Sequence, residues 1–246
     1  MDTSRTALDT DIGVAIAKLR ERIQGACARC DRDPGDVRLM AVTKFNPSSA
    51  VQAAYAAGIR LFGENRVQEA AGKFSRMDGV PAGTLPGAAV HMLGHLQSNK
   101  ARRAVELFDC IQSIDSPGII GVLAKHSAAI GKQLDILLEL HTGESSKTGF
   151  PDLESLVAAA DMVYDLPSLR LRGLMTMAPY TSDQPVIQAA CRQCREAFDL
   201  VRDSHDWSCF DTLSMGMTND FEIAIMEGST LVRIGTAIFG EREYAP

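Results

Sequence analysis

The sequence is short of cysteine, short of positive charge, and without any long apolar run. Six cysteines in 246 residues are too few for a disulfide scaffold, and a reducing compartment would keep them as thiols. Two pairs, Cys27/Cys30 and Cys191/Cys194, have the CxxC spacing that elsewhere marks zinc or redox sites. Each pair sits on a helical apolar stripe, Ile12, Ile16, Leu19 and Ile23 leading to the first and Ile187, Ala190, Ala197 and Val201 flanking the second. They are therefore read as small core residues. A formal charge of -6 argues against a surface built to neutralise phosphates, so nucleic acid is not an expected partner. Met1 to Gly13 lacks the apolar core of a signal peptide, and no apolar stretch is long enough to span a bilayer. A cytoplasmic protein with no membrane partner is expected. No GxGxxG follows a predicted strand, which weakens a dinucleotide-binding reading.

What remains is an ordinary globular composition, 46% hydrophobic and 23% charged. The length is close to the roughly 250 residues of a (β/α)8 barrel. Apolar positions recur at three and four residues over 4–31, predicting an N-terminal helix closed by Asp33-Pro34-Gly35. Strands are then predicted at 37–44, 60–63, 91–96, 110–115, 134–140, 169–178, 210–218 and 231–239, the last broken at Gly235. Between them lie helices from Pro47 to Gly58, 67–77, after Lys100 to Leu107, 117–130, 151–164, 185–202 and 220–227. Asp78 to Ala89, rich in glycine and proline, receives no element. Eight strands alternating with helices imply parallel βαβ units and closure into an α/β (β/α)8 TIM barrel. The expected organisation is a single domain over 1–246, with the helix at 4–31 and the barrel at 37–240; an open doubly wound sheet is the other architecture that fits the alternation.

The chemistry starts at the end of strand one, where the apolar run Leu39-Met40-Ala41-Val42 delivers Lys44 to a turn. Strand ends are where α/β folds place chemistry. A desolvated lysine tends to lose its proton, and a neutral amine attacks carbonyls. Loops after strands seven and eight of such barrels often hold phosphate. Ser214, Gly235 and Thr236 offer two hydroxyls and a close backbone approach, with further donors at the helix opening at Asp220. An aldehyde at one end and a phosphate at the other describe pyridoxal 5'-phosphate. Neighbouring strands one and eight let Lys44 and Arg233 both reach its ring. An aldolase-like barrel acting on a sugar phosphate also uses the lysine and the cup, but leaves Arg233 without a role.

Five runs carry a resemblance: Ala41-Val42-Thr43-Lys44, Phe62-Gly63-Glu64-Asn65-Arg66-Val67-Gln68-Glu69, Gly94-His95-Leu96-Gln97-Ser98-Asn99-Lys100, Leu213-Ser214-Met215-Gly216-Met217-Thr218, and Val232 to Gly240. In order and at matching spacing, they resemble the pyridoxal phosphate homeostasis proteins. The resemblance implies a single barrel related to the N-terminal domain of alanine racemase, with cofactor held as an imine on Lys44. It further implies phosphate contacts from Ser214, Gly235 and Thr236, Arg233 facing the pyridine nitrogen, and Asn65 near the ring. It implies a carrier or buffer of pyridoxal phosphate and related B6 vitamers; a monomer is expected, with cofactor-dependent apo-enzymes as candidate recipients. Before Glu144 the family often has asparagine where this chain reads Leu140-His141.

The competing expectation is a racemase-type enzyme, which needs a proton donor on each face of the cofactor. Tyr180 and Tyr244 are the candidate substitutes, and the chain ends six residues after the predicted barrel. Because a guanidinium stays charged, Arg233 would discourage protonation of the ring nitrogen and weaken the ring as an electron sink. That favours the carrier. His91 and His95 are not read as metal ligands; Glu64 and Glu144 are read as orienting groups of the rim; Met175-Thr176-Met177 is read as barrel lining.

Overall fold

A computed structural model describes residues 3–74, 76–77, 80–81, 85–143 and 148–240. Its eight barrel strands are β1 (Arg38–Val42), β2 (Leu61–Glu64), β3 (Ala89–Met92), β4 (Cys110–Ile114), β5 (Leu134–Glu139), β6 (Leu169–Met175), β7 (Thr212–Ser214) and β8 (Leu231–Ile234). They close into one parallel barrel, β1 pairing with β2 on one side and with β8 on the other. Strands buried on both faces read as continuous apolar runs. Every residue of β4 and β8 is accordingly buried.

The helices are α1 (Thr3–Ala28), α2 (Ser48–Ala56), α3 (Val67–Phe74), α4 (Ala101–Leu107), α5 (Pro117–Ala129), α6 (Leu153–Tyr164), α7 (Gln184–Ser204), α8 (Phe221–Met226) and α9 (Thr236–Phe239). The helix after β8 is only four residues long, too short to cover the barrel there. Helix α1 fills that gap, packing on α2, α8 and α9. Its stripe Ile12, Ile16, Leu19, Ile23 and Cys27 is buried, and Arg22 and Arg29 pair with Glu222 of α8 at 2.8 and 2.6 Å. The N-terminal end of the barrel is closed by polar contacts. Arg38 donates to Thr212 at 2.6 Å, and Arg172 links Asp135 and Asp211 at 3.0 and 2.6 Å.

Several boundaries move. Helix α3 stops at Phe74 and not at Met77, because Arg76–Met77 pairs antiparallel with Val80–Pro81 inside the stretch expected to be structureless. Strand β3 lies at Ala89–Met92 and not at 91–96. Gly94 follows it, and a Cβ there would fall 2.3 Å from the Asn65 carbonyl oxygen, so this backbone is pressed against the end of β2. Ala237-Ile238-Phe239, read as the end of strand eight, belongs to helix α9. Short apolar runs do not separate strand from helix.

Cys191 and Cys194 are buried on α7 and Cys27 is buried on α1, whereas α1 ends at Ala28 and not at 31, so Cys30 lies in the turn beyond it, partly buried. Burial pushes the Cys191 thiol up to about 12, far from a reactive thiolate. Among the described residues no group of three or more His, Cys, Asp or Glu could hold a metal ion. None of the described helices is long and apolar enough to cross a membrane.

Candidate functional site

The C-terminal mouth of the barrel opens into a cavity of about 790 Å3, a size typical of small-molecule sites. Lys44, Asn65, Arg233, Gly235 and Thr236 all line it. The pairing of β1 with β8, Ala41 opposite Ile234, brings the loop carrying Lys44 beside Gly235 and Thr236. Asn65 follows β2 directly.

Ser214 departs from expectation. It is fully buried beneath the cavity and absent from its wall. Its hydroxyl donates to Gln112 Oε1 at 2.7 Å and accepts from Arg233 Nη1 at 2.7 Å. Thr218, four residues on, stands on the wall instead. Strand β7 ends at Ser214, and the chain turns at Gly216 with φ +93°. A side chain at Gly216 would meet Phe221 Cα at 2.7 Å, so only glycine fits the turn. The Met217 N–H then donates to Asp220, and the Ala237 N–H to Thr218 Oγ1 at 3.3 Å. That last bond ties the loop after β7 to the start of α9. The free N–H groups of a helix's first turn are natural partners of an anion. Thr218, Gly235 and Thr236 thus line the cavity together, with Ser214 buried beneath its wall.

Arg233 is buried, 4% exposed. Nη1 donates to the Ser214 carbonyl at 2.6 Å, and Nη2 to the Thr176 carbonyl at 2.7 Å. Burial lowers its pKa, while Asp220 and Glu139 act the other way; arginine nevertheless stays protonated in proteins. The serine extends this contact into a chain across the barrel. Arg233 donates to Ser214, Ser214 to Gln112, and the Gln112 amide contacts His91 Nδ1 at 2.8 Å. An amide N–H can only donate, so His91 Nδ1 accepts and the ring is neutral. Burial pushes the His91 pKa down to about 4, with Arg38 and Arg172 adding to the effect and Asp109 and Asp135 opposing it.

A depressed histidine pKa means that the unfolded chain takes up the proton first. The stability contributed by neutral His91 is present above about pH 6.5 and is lost as pH falls to about 4, by up to about 3 kcal/mol. His91→Gln should therefore flatten the acid limb of a stability–pH curve measured by denaturant unfolding. A limb of equal steepness in both proteins would contradict this.

The remaining expectations distribute plainly. Met175 and Met177 line the cavity. His95 pairs with Asp115 at 2.6 Å, not with His91. Tyr180 reaches the cavity rim, 84% exposed. His141 is off the wall, its N–H donating to the Phe150 carbonyl at 3.0 Å. Glu144, Lys147 and Tyr244 lie outside the described residues.

The sequence pattern of the alanine racemase N-terminal domain matches residues 14–243. A pyridoxal phosphate homeostasis protein of Pseudomonas aeruginosa is 43% identical over 230 residues, covering 93% of this chain and 95% of the relative. This chain belongs to the pyridoxal phosphate homeostasis protein family. A second family likeness is structural. PipY of Synechococcus elongatus, solved with PLP bound, is 35% identical with a TM-score of 0.79, covering 93% of this chain and 100% of that one. Alanine racemase from Corynebacterium glutamicum, 16% identical with a TM-score of 0.72, covers 97% of this chain and 62% of that one, and shares the fold alone.

In this pyridoxal phosphate homeostasis family member, two features that the sequence pattern does not single out are Thr218 on the cavity wall and a charged group behind Lys44. Thr218 closes the 213–218 run, and its signal is the glycine at 216, just past the early end of the strand. Glu64, expected at the rim, is instead fully buried and off the cavity wall. Its Oε1 accepts from Thr43 Oγ1 at 2.6 Å and from Lys73 Nζ at 2.9 Å.

Proposed function

We propose that this protein is a carrier of pyridoxal 5'-phosphate, held covalently on Lys44 as a Schiff base, and acts in B6 homeostasis without a reaction of its own. The observation that supports this most is the convergence of an amine, a buried guanidinium and a hydroxyl-and-amide cup on one cavity of about 790 Å3. That donor set fits the group's aldehyde, ring and phosphate. When bound, the cofactor supplies an aldehyde for the lysine and a ring able to withdraw electrons. The protein's residues do the rest. Lys44 attaches, Thr218, Thr236 and the Gly235 backbone hold the phosphate, Asn65 flanks the ring, and Arg233 keeps a positive charge at the ring nitrogen. Ser214 acts through Arg233.

A carrier is favoured over a racemase for two reasons. Among the described residues lining the cavity, the cations are Lys44 and Arg233, and Arg233 is committed to the Ser214 and Thr176 carbonyls. An amino acid's carboxylate would find no further cationic partner on that wall. Tyr180, the described candidate for a second proton donor, is too exposed to be held over a ring face. A cytoplasmic monomer passing B6 vitamers to cofactor-dependent apo-enzymes completes this reading.

The visible spectrum of purified protein, before and after borohydride, with peptide mapping of the reduced product, tests the chemistry. Label at Lys44 is the expected result. Cofactor at a hundredfold excess over its dissociation constant should also raise stability by about 2.7 kcal/mol. Thr218→Val and Thr236→Val should each lose part of that gain while their apo forms melt like wild type. Undiminished gains in both would remove the phosphate from these loops.

A further inference from the structure

The peptide groups on both sides of Lys44 are held from behind by helix α3. Lys73 Nζ donates to the Thr43 carbonyl at 2.6 Å, fixing the plane that enters Lys44. The Phe45 N–H donates to Glu69 Oε1, and Asn46 Nδ2 donates to the Lys44 carbonyl at 3.1 Å, fixing the plane that leaves it. Lys73 spends its other two hydrogens on Glu69 at 2.7 Å and on Glu64 at 2.9 Å. Glu69 and Lys73 stand one helical turn apart, so both reach the same strand end.

Two features of this group are costly. Phe45 has φ +66°, a left-handed conformation that a bulky side chain rarely adopts. Glu64 is fully buried, and its Oε2 has no hydrogen-bond partner. Burial raises the Glu64 pKa, against the Thr43 hydroxyl and the Lys73 ammonium, which lower it. Backbone strain and an unsatisfied buried carboxylate tend to persist where function requires them.

We propose that Lys73, Glu64 and Glu69 are positioning residues that clamp the Thr43–Phe45 backbone and so aim the Lys44 amine into the cavity. This rests on the reading that Lys44 attaches pyridoxal phosphate, and it assigns the left-handed turn at Phe45 to the pull of Glu69. The clamp holds the segment through the Thr43 carbonyl, the Phe45 N–H and the Thr43 hydroxyl, and none of Glu64, Glu69 and Lys73 lines the cavity.

The test uses the full-length protein, apo and loaded with pyridoxal phosphate. Glu69 is in the first turn of α3 with its side chain 20% exposed, so Glu69→Ala should fold. In the apo variant the Phe45 amide should exchange with deuterium about tenfold faster, the scale set by losing one charge-assisted hydrogen bond. In the loaded variant the equilibrium between lysine-trapped and untrapped bound cofactor should shift about tenfold toward untrapped, with the phosphate cup still retaining it. Glu69→Gln keeps an oxygen acceptor for the Phe45 N–H and should restore most of both readouts. If Glu69→Ala folds poorly, Glu69→Asp, shorter by one methylene, carries the same two measurements. Wild-type exchange at Phe45 and wild-type trapping in the folded variant, with only its melting temperature lowered, would overturn the clamp. A wild type that traps nothing at Lys44 overturns the carrier reading instead, and is told apart by the apo exchange, which needs no cofactor.

Discussion

Replacing Lys44 with alanine is expected to take borohydride-fixed pyridoxal phosphate from one label per chain to none. The reason is geometric. Among the described residues, Lys44 is the lysine on the cavity wall, and Lys100 lies in the turn after β3, away from it. The side chain is only partly buried, so the apo variant should keep its stability within about 0.5 kcal/mol, as surface changes usually do. Binding should persist in weaker, non-covalent form, since Thr218, Thr236 and the Gly235 backbone are untouched. Absorbance of dialysed protein and peptide mapping after reduction measure both effects. Label recovered on Lys100 or Lys147 in wild type would move the site elsewhere.

The barrel was legible because parallel strands buried on both faces announce themselves as apolar runs, and because polar residues collect where each run stops. Lys44, Asn65 and Arg233 were found by that punctuation or by family likeness, and all three reach one cavity. Ser214 lies deeper than the cavity wall for a physical reason. Strand β7 is three residues long, so its last side chain points into the barrel floor and the loop beyond Gly216 carries the wall. Alternation says which face a residue takes, not how deep it lies. The same limit hid the end of β8, where the apolar Ala237-Ile238-Phe239 fits either period.

The clamp behind Lys44 was invisible for another reason. Glu69 and Lys73 form an i,i+4 pair on an amphipathic helix, a pattern that in sequence reads as a solvated ion pair worth a few tenths of a kcal/mol. Only the fold shows that Lys73 is 9% exposed and that its acceptors are a strand-end carbonyl and a fully buried carboxylate. Burial changes its meaning. A surface pair is screened by water and salt, whereas removing Lys73 here would leave the buried Glu64 carboxylate without its counter-charge.

Arg233 offers the sharpest separation of carrier from enzyme, and its surroundings dictate which substitution can be used. A glutamate would set a carboxylate against the Ser214 and Thr176 carbonyl oxygens that the guanidinium now serves, and repulsion there would disturb the fold. Glutamine is neutral, shorter, and keeps one amide donor. In the apo protein Arg233→Gln should cost about 2 to 4 kcal/mol, because at least one of those buried carbonyls loses its partner. In the loaded protein the fixed positive charge beside the ring nitrogen is gone. The nitrogen should then take up a proton within the accessible pH range, giving the bound cofactor's absorption a pH dependence that wild type lacks. A protonated ring withdraws electrons better, so exchange of an added amino acid's α-proton with deuterated solvent should rise from undetectable to slow. It should stay slow and unselective, because Tyr180, the described candidate for a second proton donor, is exposed. A racemase predicts the reverse order, fast interconversion in wild type and a loss in the variant. Rapid racemisation of any common amino acid by wild type would sink the carrier reading, and an unaltered pH profile in folded, loaded Arg233→Gln would show that the guanidinium does not face the ring.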